Sequence, residues 1–334
     1  MNLFKTKELK SINPNILITN YCNQSCSFCF ANKLMTKDSA KEMSLKNYIS
    51  LLEYLKRSKI NKVYLMGGEP TLHSNFKELF NVTIKKGFGV EIFTNARFTK
   101  EVEKFLLKNC QDISMIHINV GTPAYRIAST AKQINNFIRK ASDKTVISLE
   151  TTVASMNQAV FLSIFSRAKE VLPFCSVRIG VDGALVSSKG FSLDRNKRIG
   201  KIVMKAIDLL INREVKGLWL SEMNACMFDE NQINFITDSE NITLSGYGCL
   251  SKRAGIDIKT DLKVIRCFGL NPLDGYSLVD KRHKFNKNLT RIKKKLDHQM
   301  EQKTKKTLPI ECLTCKYYGF GEGQCPGPCL VGRQ

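Results

Sequence analysis

Residues 16–29 read ILITNYCNQSCSFC. Ile16–Tyr21 is a β-rich run, and Cys22, Cys26 and Cys29 follow it at once. Three thiols inside eight residues, at the end of a first strand, can wrap one face of a single metal cluster. Thiolates are the soft ligands that iron–sulfur clusters take. Three ligands leave one iron with an open coordination position, which is what a bound cofactor or substrate needs. The alternative is a zinc knuckle or plain buried cysteines. A zinc site wants a fourth ligand close by, and no Cys or His lies between Phe30 and His73.

Outward from that stretch the chain repeats a strand–helix rhythm to about residue 212. The expected strands are Ile16–Tyr21, Lys62–Met66, Val90–Thr94, Ile113–Val120, Val146–Val153 and Ser176–Val181. Helical spacing lies between them. Leu45, Tyr48, Ile49, Leu52 and Leu55 follow it, with Ser44 as N-cap. So do Phe76, Leu79, Phe80 and Ile84, bracketed by Ser74 and Gly87, and later groups around Val102, Val160 and Ile202. Strand–helix units in series imply parallel neighbours, because parallel strands need crossovers. Six units are fewer than the eight that close a barrel, so the expected sheet is α/β, open and curved. Active sites of such folds sit at the C-terminal strand ends, where the cysteines are.

The spacing Cys-x3-Cys-x2-Cys, with aromatic Phe28 before the third cysteine, resembles the signature of the radical S-adenosylmethionine (SAM) superfamily. Gly67-Gly68-Glu69-Pro70, after the second strand, resembles that family's Gly-Gly-Glu-Pro element. The two glycines would let a ligand approach the backbone closely, and exposed carbonyls there would accept the amino group of the methionine moiety. The resemblance covers about residues 15–212. It implies that Cys22, Cys26 and Cys29 carry a [4Fe–4S] cluster, that SAM chelates its open iron, and that one-electron cleavage yields a 5′-deoxyadenosyl radical that takes an unactivated hydrogen from the substrate. The cofactor carries that chemistry, while the protein positions it and excludes water. Phe28 would lie beside the adenine. Thr94 and Asn95, in Phe-Thr-Asn-Ala, resemble the family's Thr-Asn-Gly. Asn119 sits where the family often has a ribose-binding serine, and Thr151 and Arg178 would face the cofactor; ordinary satisfied hydrogen bonds are the alternative for these strand residues.

After about residue 213 cysteines become the landmarks: Cys226, Cys249, Cys267, Cys312, Cys315, Cys325 and Cys329. Ile256–Ile258 and Lys263–Arg266 read as a β-hairpin across Lys259–Leu262. Residues 281–306 are helix-like and rich in Lys and Arg, and the Gly/Pro-rich tail excludes a regular element. Residues 245–330 are similar to the SPASM or "twitch" extension, which holds auxiliary [4Fe–4S] clusters. Three departures stand out. Leu262 replaces the family's glycine five residues before the second hairpin cysteine, the gap between Cys315 and Cys325 is longer than usual, and no cysteine follows Cys329. One cluster using Cys249, Cys267 and two of the last four cysteines is one arrangement; two clusters, one of them open to substrate, is the other. Cys226 would complete a set, although a lone cysteine is more often buried filler, as Cys110 and Cys175 are expected to be. Structural zinc is the rival for the C-terminal set, since Cys-x2-Cys pairs suit it. The expected organisation is an N-terminal arm at 1–14, a partial (β/α)6 TIM-like barrel at 15–225, and a small cysteine-rich α+β auxiliary-cluster domain at 226–334. His73, His117, His283 and His298 form no cluster in the sequence and are not expected as ligands.

The chain has 334 residues, enough for two domains, with 43% hydrophobic and 25% charged residues, an ordinary globular balance. No run of about 18 apolar residues suggests a membrane helix, and the polar N-terminus does not read as a secretory signal. A cytoplasmic location is expected, where twelve cysteines favour metal or cluster ligation over disulfides. The net charge of +22 would attract polyanions or acidic peptides, unless it is simply solvated lysine, as the run Lys293–Lys295 on a wet helix face would be. The resemblance implies an enzyme acting on a ribosomally made peptide by cross-linking, epimerisation or side-chain oxidation. A small-molecule dehydrogenase or epimerase, and a non-catalytic iron–sulfur or zinc-stabilised binding protein, are the alternatives. Expected partners are a peptide with an acidic leader, an electron donor such as flavodoxin or ferredoxin, and a separate peptide-recognition protein, since only about fifteen residues precede the first strand. No RNA-binding module is visible.

Overall fold

A computed structural model describes residues 13–29, 31, 32, 34, 35, 41–183, 185, 191–244, 255–268, 275–280, 284, 285, 288–319, 324, 325 and 327–329. Cys249 and His283 lie outside the described residues.

All six expected strands form: β1 Asn15–Thr19, β2 Lys62–Gly67, β3 Gly89–Thr94, β4 Ile113–Asn119, β5 Val146–Val153 and β6 Ser176–Val181. Each pairs in parallel with the next. The crossovers are α1 Leu45–Arg57, α2 Phe76–Lys85, α3 Lys100–Lys108, α4 Ala128–Ala141 and α5 Gln158–Ala168, with α6 Leu193–Ile211 following β6. Ser44 caps α1 by accepting from the Asn47 N–H, which satisfies one of the orphan donors of a helix start. Its apolar stripe, Tyr48, Leu51, Leu52 and Leu55, is fully buried, worth roughly 1.5–3 kcal/mol per side chain in transfer terms. The Tyr48 hydroxyl is paired with Thr83 Oγ1 of α2 at 2.6 Å.

The parallel series runs past the six expected units. β7 Gly217–Leu220 pairs with β6, and β8 Ile242–Leu244 pairs with β7, both in parallel. These strands are four and three residues long, too short to show alternation in the sequence. At the other edge the expected hairpin forms as β9 Asp257–Ile258 and β10 Lys263–Ile265, extended by β11 Tyr276–Ser277. It does not stand apart. β9 pairs in parallel with β1 through Asn15–Asp257 and Ile16–Ile258, so the unpaired edge of β1 is covered. One sheet of eleven strands results, in the order β11-β10-β9-β1-β2-β3-β4-β5-β6-β7-β8. It is an open partial barrel, and β8 to β11 after residue 226 belong to the same sheet as the strands before it.

Side-chain parity divides the sheet. Ile16, Ile18, Val63, Leu65, Ile92, Ile116, Ile118, Ile147, Leu149, Val177 and Ile179 are fully or almost fully buried. The alternate positions, among them Asn15, Tyr64, Phe93, His117, Glu150 and Arg178, line a cavity on the opposite face. Alternation follows from the period of a strand.

Two positions where the sequence departs from a glycine pattern take the backbone a glycine would. Ala96 has φ 56° and Leu262 has φ 62°, the left-handed region that favours glycine. Leu262 turns the β9–β10 hairpin, its N–H donating to Lys259 O at 2.9 Å, and its side chain is buried.

α6 packs tightly on the turn Ala225–Met227. A Cβ on Gly200 would stand 1.8 Å from Met227 O. Gly200→Ala is therefore expected to cost about 1–3 kcal/mol in chemical denaturation. Gly217→Ala, whose added carbon would meet only Ser176 Oγ at 3.9 Å, is expected to cost nothing; equal losses would contradict this packing.

Candidate active site

At the C-terminal ends of the strands a cavity of about 510 Å³ brings together residues from β1 through β6, the segment just after β7, and the hairpin. That size lies in the ordinary range of ligand pockets. Cys22, Cys26 and Cys29 line it together with Phe28, Gly67, Gly68, Thr94, Asn95, Asn119, Thr151 and Arg178. Of the residues expected at the cofactor, only Glu69 and Pro70 stand off the cavity surface.

The reason lies in how the Gly67–Pro70 segment is built. The Glu69 side chain is fully buried. Its Oε1 accepts from Thr71 N at 3.2 Å, Thr71 Oγ1 at 2.7 Å and Thr94 Oγ1 at 2.7 Å, while Oε2 accepts from Asn95 N at 2.7 Å. Burial pushes this carboxyl up, and the Asn95, Thr71 and Thr94 donors pull it back. The backbone around it is fastened to β1: Gly68 N donates to Thr19 O at 2.9 Å and Glu69 N to Tyr21 O at 2.8 Å. The glycines serve this contact. A Cβ on Gly68 would stand 2.1 Å from Tyr21 O and 2.8 Å from Cys22 Cβ. The close approach they permit includes that of the chain's own cysteine segment, and both glycines also line the cavity.

Asn95 continues the wiring. Its Nδ2 donates to Asn23 Oδ1 at 2.8 Å and lies 4.0 Å from Cys22 Sγ. Gln24 N donates to Cys22 Sγ at 3.4 Å, and Cys29 N to Cys26 O at 3.1 Å. Burial raises all three thiols. Cys26, which Cys29 and Cys22 raise further while Arg126 opposes, is pushed up to about 12. Three close, desolvated thiols suit a bound metal group, which removes the proton. Two buried polar atoms on the cavity wall, Gln24 Nε2 and Thr151 Oγ1, have no partner. Phe28 packs its ring edge toward Gly121, and Asn119 Oδ1 accepts from Gly121 N at 2.9 Å. Soft thiols and unmatched polar atoms on one cavity wall fit an iron–sulfur cluster with a polar cofactor beside it.

Below these residues runs a row of alternating charge that the sequence did not reveal. Lys62 of β2 pairs with Glu91 of β3. His117 of β4 bridges Glu91 Oε2 at 2.7 Å and Glu150 Oε1 of β5 at 2.8 Å. Arg178 of β6 reaches Glu150 Oε2 at 3.2 Å, Ser221 Oγ at 2.7 Å and Glu222 Oε1 at 3.7 Å. Phe93 stacks on the imidazole at 4.0 Å. Burial opposes ionisation of His117, but Glu150 and Glu91 prevail and raise it above the ordinary imidazole value. Glu91 and Glu150 are held below the carboxylate range, against their burial, by His117 with Lys62 and by Arg178 with His117 respectively. Glu222, with φ 62°, is raised by burial despite Arg178. On the hairpin side, burial pushes Asp257 up to about 7, against hydrogen bonds from Asn15 and Phe268 N.

Of the expected C-terminal ligands among the described residues, one lines the cavity. Cys267 lines the cavity with Asp257, Arg266 and Phe268. Cys312, Cys315, Cys325 and Cys329 are not on its wall. Lys293 is not simply solvated: it pairs with Asp297 at 2.7 Å, and Asp297 pairs with Arg266 at 3.0 Å, which ties helix α8 (Leu289–Lys306) to the cavity wall. Among the described residues no helix is long and apolar enough to cross a membrane.

Comparison with known proteins agrees with this architecture. Residues 16–156 match the radical SAM superfamily. The chain is 25% identical over 239 residues to the sporulation killing factor maturation protein SkfB of Bacillus subtilis, covering 68% of this chain and 55% of that one. It is 33% identical over 82 residues to an S-adenosylmethionine-dependent nucleotide dehydratase of Selenomonas ruminantium, covering 24% of this chain and 28% of the relative. The chain thus spans little more than half of the first relative and less of the second. The crystal structure of Streptococcus suis SuiB bound to S-adenosylmethionine superposes with a TM-score of 0.62 at 17% identity, over 96% of this chain and 73% of that one; the likeness is of fold.

His117 gives the site a pH signature. Its raised value means that its stabilising contribution is present below pH about 6.5, the unfolded value, and is lost as pH rises through the folded value. His117→Gln leaves two buried carboxylates without their shared cation and is expected to cost roughly 3 kcal/mol near pH 6. Denaturation over a pH series should show the gap to wild type shrinking as pH rises; a gap independent of pH contradicts the ion-pair assignment.

Proposed function

Residues 16–156 being a radical SAM domain, we propose that the chain is a radical SAM enzyme whose substrate is a ribosomally made peptide. One observation carries the catalytic half: Cys22, Cys26 and Cys29 open on a single cavity whose far wall is polar and charged. The three thiols would hold the iron–sulfur cluster. When bound, the cluster and SAM supply one-electron cleavage and hydrogen-atom abstraction. The protein's part is placement. Gly67 and Gly68 would present backbone to the amino end of the cofactor, Phe28 and Gly121 would flank its adenine, and Asn119 and Thr151 would face its ribose. The floor from His117 to Glu222 keeps Arg178 fixed beneath the reacting region by ion pairs on two sides, so that little reorganisation is needed when the substrate enters. Asp257 and Cys267 approach from the hairpin side, and Asp257, titrating near neutrality, is suited to proton transfer at the substrate.

The peptide half rests on the relatives. SkfB is named for maturation of a sporulation killing factor, and SuiB has been crystallised with its precursor peptide SuiA. The match to the nucleotide dehydratase spans 82 residues and bears on the shared SAM-binding half. The charge of +22 suits an acidic leader. Residues 226–334 serve as an auxiliary-cluster extension, electrons come from a flavodoxin or ferredoxin, and the setting is the cytoplasm, where clusters and thiols are kept reduced.

Anaerobically reconstituted protein with dithionite and SAM is expected to release 5′-deoxyadenosine, measured by chromatography. Cys26→Ala should lower the release by at least about 100-fold, a loss of roughly 2.7 kcal/mol of transition-state stabilisation. Wild-type protein that binds iron and sulfide yet releases none would overturn the enzymatic reading.

A further inference from the structure

Cys226 stands in the short turn Ala225–Met227 between β7 and helix α7 (Glu230–Asp238), far in sequence from the last four cysteines. The fold brings the two regions together. The thiols of Cys325, Cys312 and Cys315 are electrostatic neighbours of the buried Cys226 thiol. Cys110 and Cys175, by contrast, have no thiol as an electrostatic neighbour among the described residues. None of these cysteines is in a disulfide.

The surrounding contacts hold this arrangement. Lys316, next to Cys315, pairs with Glu230 at the start of α7 at 3.1 Å. Cys325 N donates to Tyr317 O at 2.7 Å, and Gly319 N to Cys325 O at 3.0 Å, which folds the tail back on the Cys312–Cys315 turn. The sulfur of Cys325 accepts from the backbone N–H groups of Ala225 and Gly327. The sulfur of Cys226 accepts from Asn196 Nδ2 of α6 at 3.4 Å. Amide donors aimed at sulfur suit a thiolate that carries charge, and buried filler cysteine has no use for them.

A second feature also points to a missing occupant. Asn224 and Asn196 are each 1% exposed. Both polar atoms of the Asn224 side chain and Oδ1 of Asn196 have no partner. Buried polar groups without partners cost about 1–3 kcal/mol each, so Asn196, hydrogen-bonded to Cys226, and Asn224, two residues before it, mark a place where a further group belongs.

We propose that Cys226, Cys312, Cys315 and Cys325 form one four-thiolate site for an auxiliary [4Fe–4S] cluster, with Cys226 supplying the fourth ligand. This rests on reading the chain as an iron–sulfur protein. Among the described residues no three His, Cys, Asp or Glu side chains are spaced to hold one metal ion. Zn–S bonds of about 2.3 Å would draw four sulfurs closer together, whereas a four-iron cluster holds its ligands farther apart. The assignment leaves Cys267, on the active-site wall, apart from this set.

The test uses the full chain, reconstituted without oxygen, in a Cys22→Ala, Cys26→Ala, Cys29→Ala background that removes the N-terminal cluster. Iron, acid-labile sulfide and the EPR spectrum of the reduced protein are compared with and without Cys226→Ala, with circular dichroism to confirm folding. The background is expected to hold cluster iron, and Cys226→Ala to remove about four iron and four sulfide per chain or to shift the EPR signal, while Cys110→Ala changes neither. Cys226→Ser, keeping a weaker ligand, should fall between. Unchanged counts and spectra in Cys226→Ala, a background that binds no iron, or zinc without sulfide would each overturn the proposal. Release of 5′-deoxyadenosine by the wild type tests the parent reading separately, since none of these counts depends on it.

Discussion

The Glu69 carboxylate sits where three pieces of chain meet. It takes two donors from Thr71 on its own turn and two from Thr94 and Asn95 at the end of β3, while the neighbouring backbone is bonded to Thr19 and Tyr21 just ahead of Cys22. A buried carboxylate is costly unless its lone pairs are met, and here four donors meet them. The same bonds fix the end of β1 against β2 and β3. The segment that carries the three thiols therefore leaves the sheet in one direction, and Asn95 holds its next residue, Asn23, in place. The cavity, its thiol rim and the approach to its polar floor all depend on that junction.

The floor follows from strand parity. Once one face of each strand is committed to the helices, the alternate face must point into the partial barrel. Filling that face with leucine and valine would leave no pocket. The chain instead places one charged group per strand, Lys62, Glu91, His117, Glu150, Arg178 and then Glu222 after β7, with signs alternating from strand to strand. Each charge has an opposite one within hydrogen-bonding or ion-pair reach, so desolvation is offset locally and the group is rigid. Such an arrangement is less a source of stability than of fixed orientation.

Much of this was legible in the residues. The six long strands are continuous β-branched or apolar runs, and α1 showed both its stripe and its cap in Ser44. The thiol triad was visible because metal ligands near in sequence leave a spacing. What escaped notice did so for physical reasons. β7 and β8 are too short for a period to appear. The charged row is spread one residue per strand across 160 positions, from Lys62 to Glu222; its only trace is an isolated charge inside each apolar run. The roles of Gly67 and Gly68 depend on a neighbouring segment that the sequence does not place beside them. Ala96 and Leu262 show that a glycine backbone can be kept after the glycine is gone. Whether Cys226 completes a ligand set stayed open in the sequence because the last four cysteines lie some ninety residues away.

The central claim is that the Glu69 junction holds Cys22, Cys26 and Cys29 in ligating position. Glu69→Gln keeps the size but turns an amide NH2 either toward the Asn95 N–H or toward the donors of Thr71 and Thr94. Iron and sulfide counts after anaerobic reconstitution, set beside the Cys22/Cys26/Cys29 triple alanine variant, test the claim most directly. The account predicts that folded Glu69→Gln falls short of wild type by about as much as the triple variant does, about four iron per chain. Wild-type iron content in Glu69→Gln would contradict it.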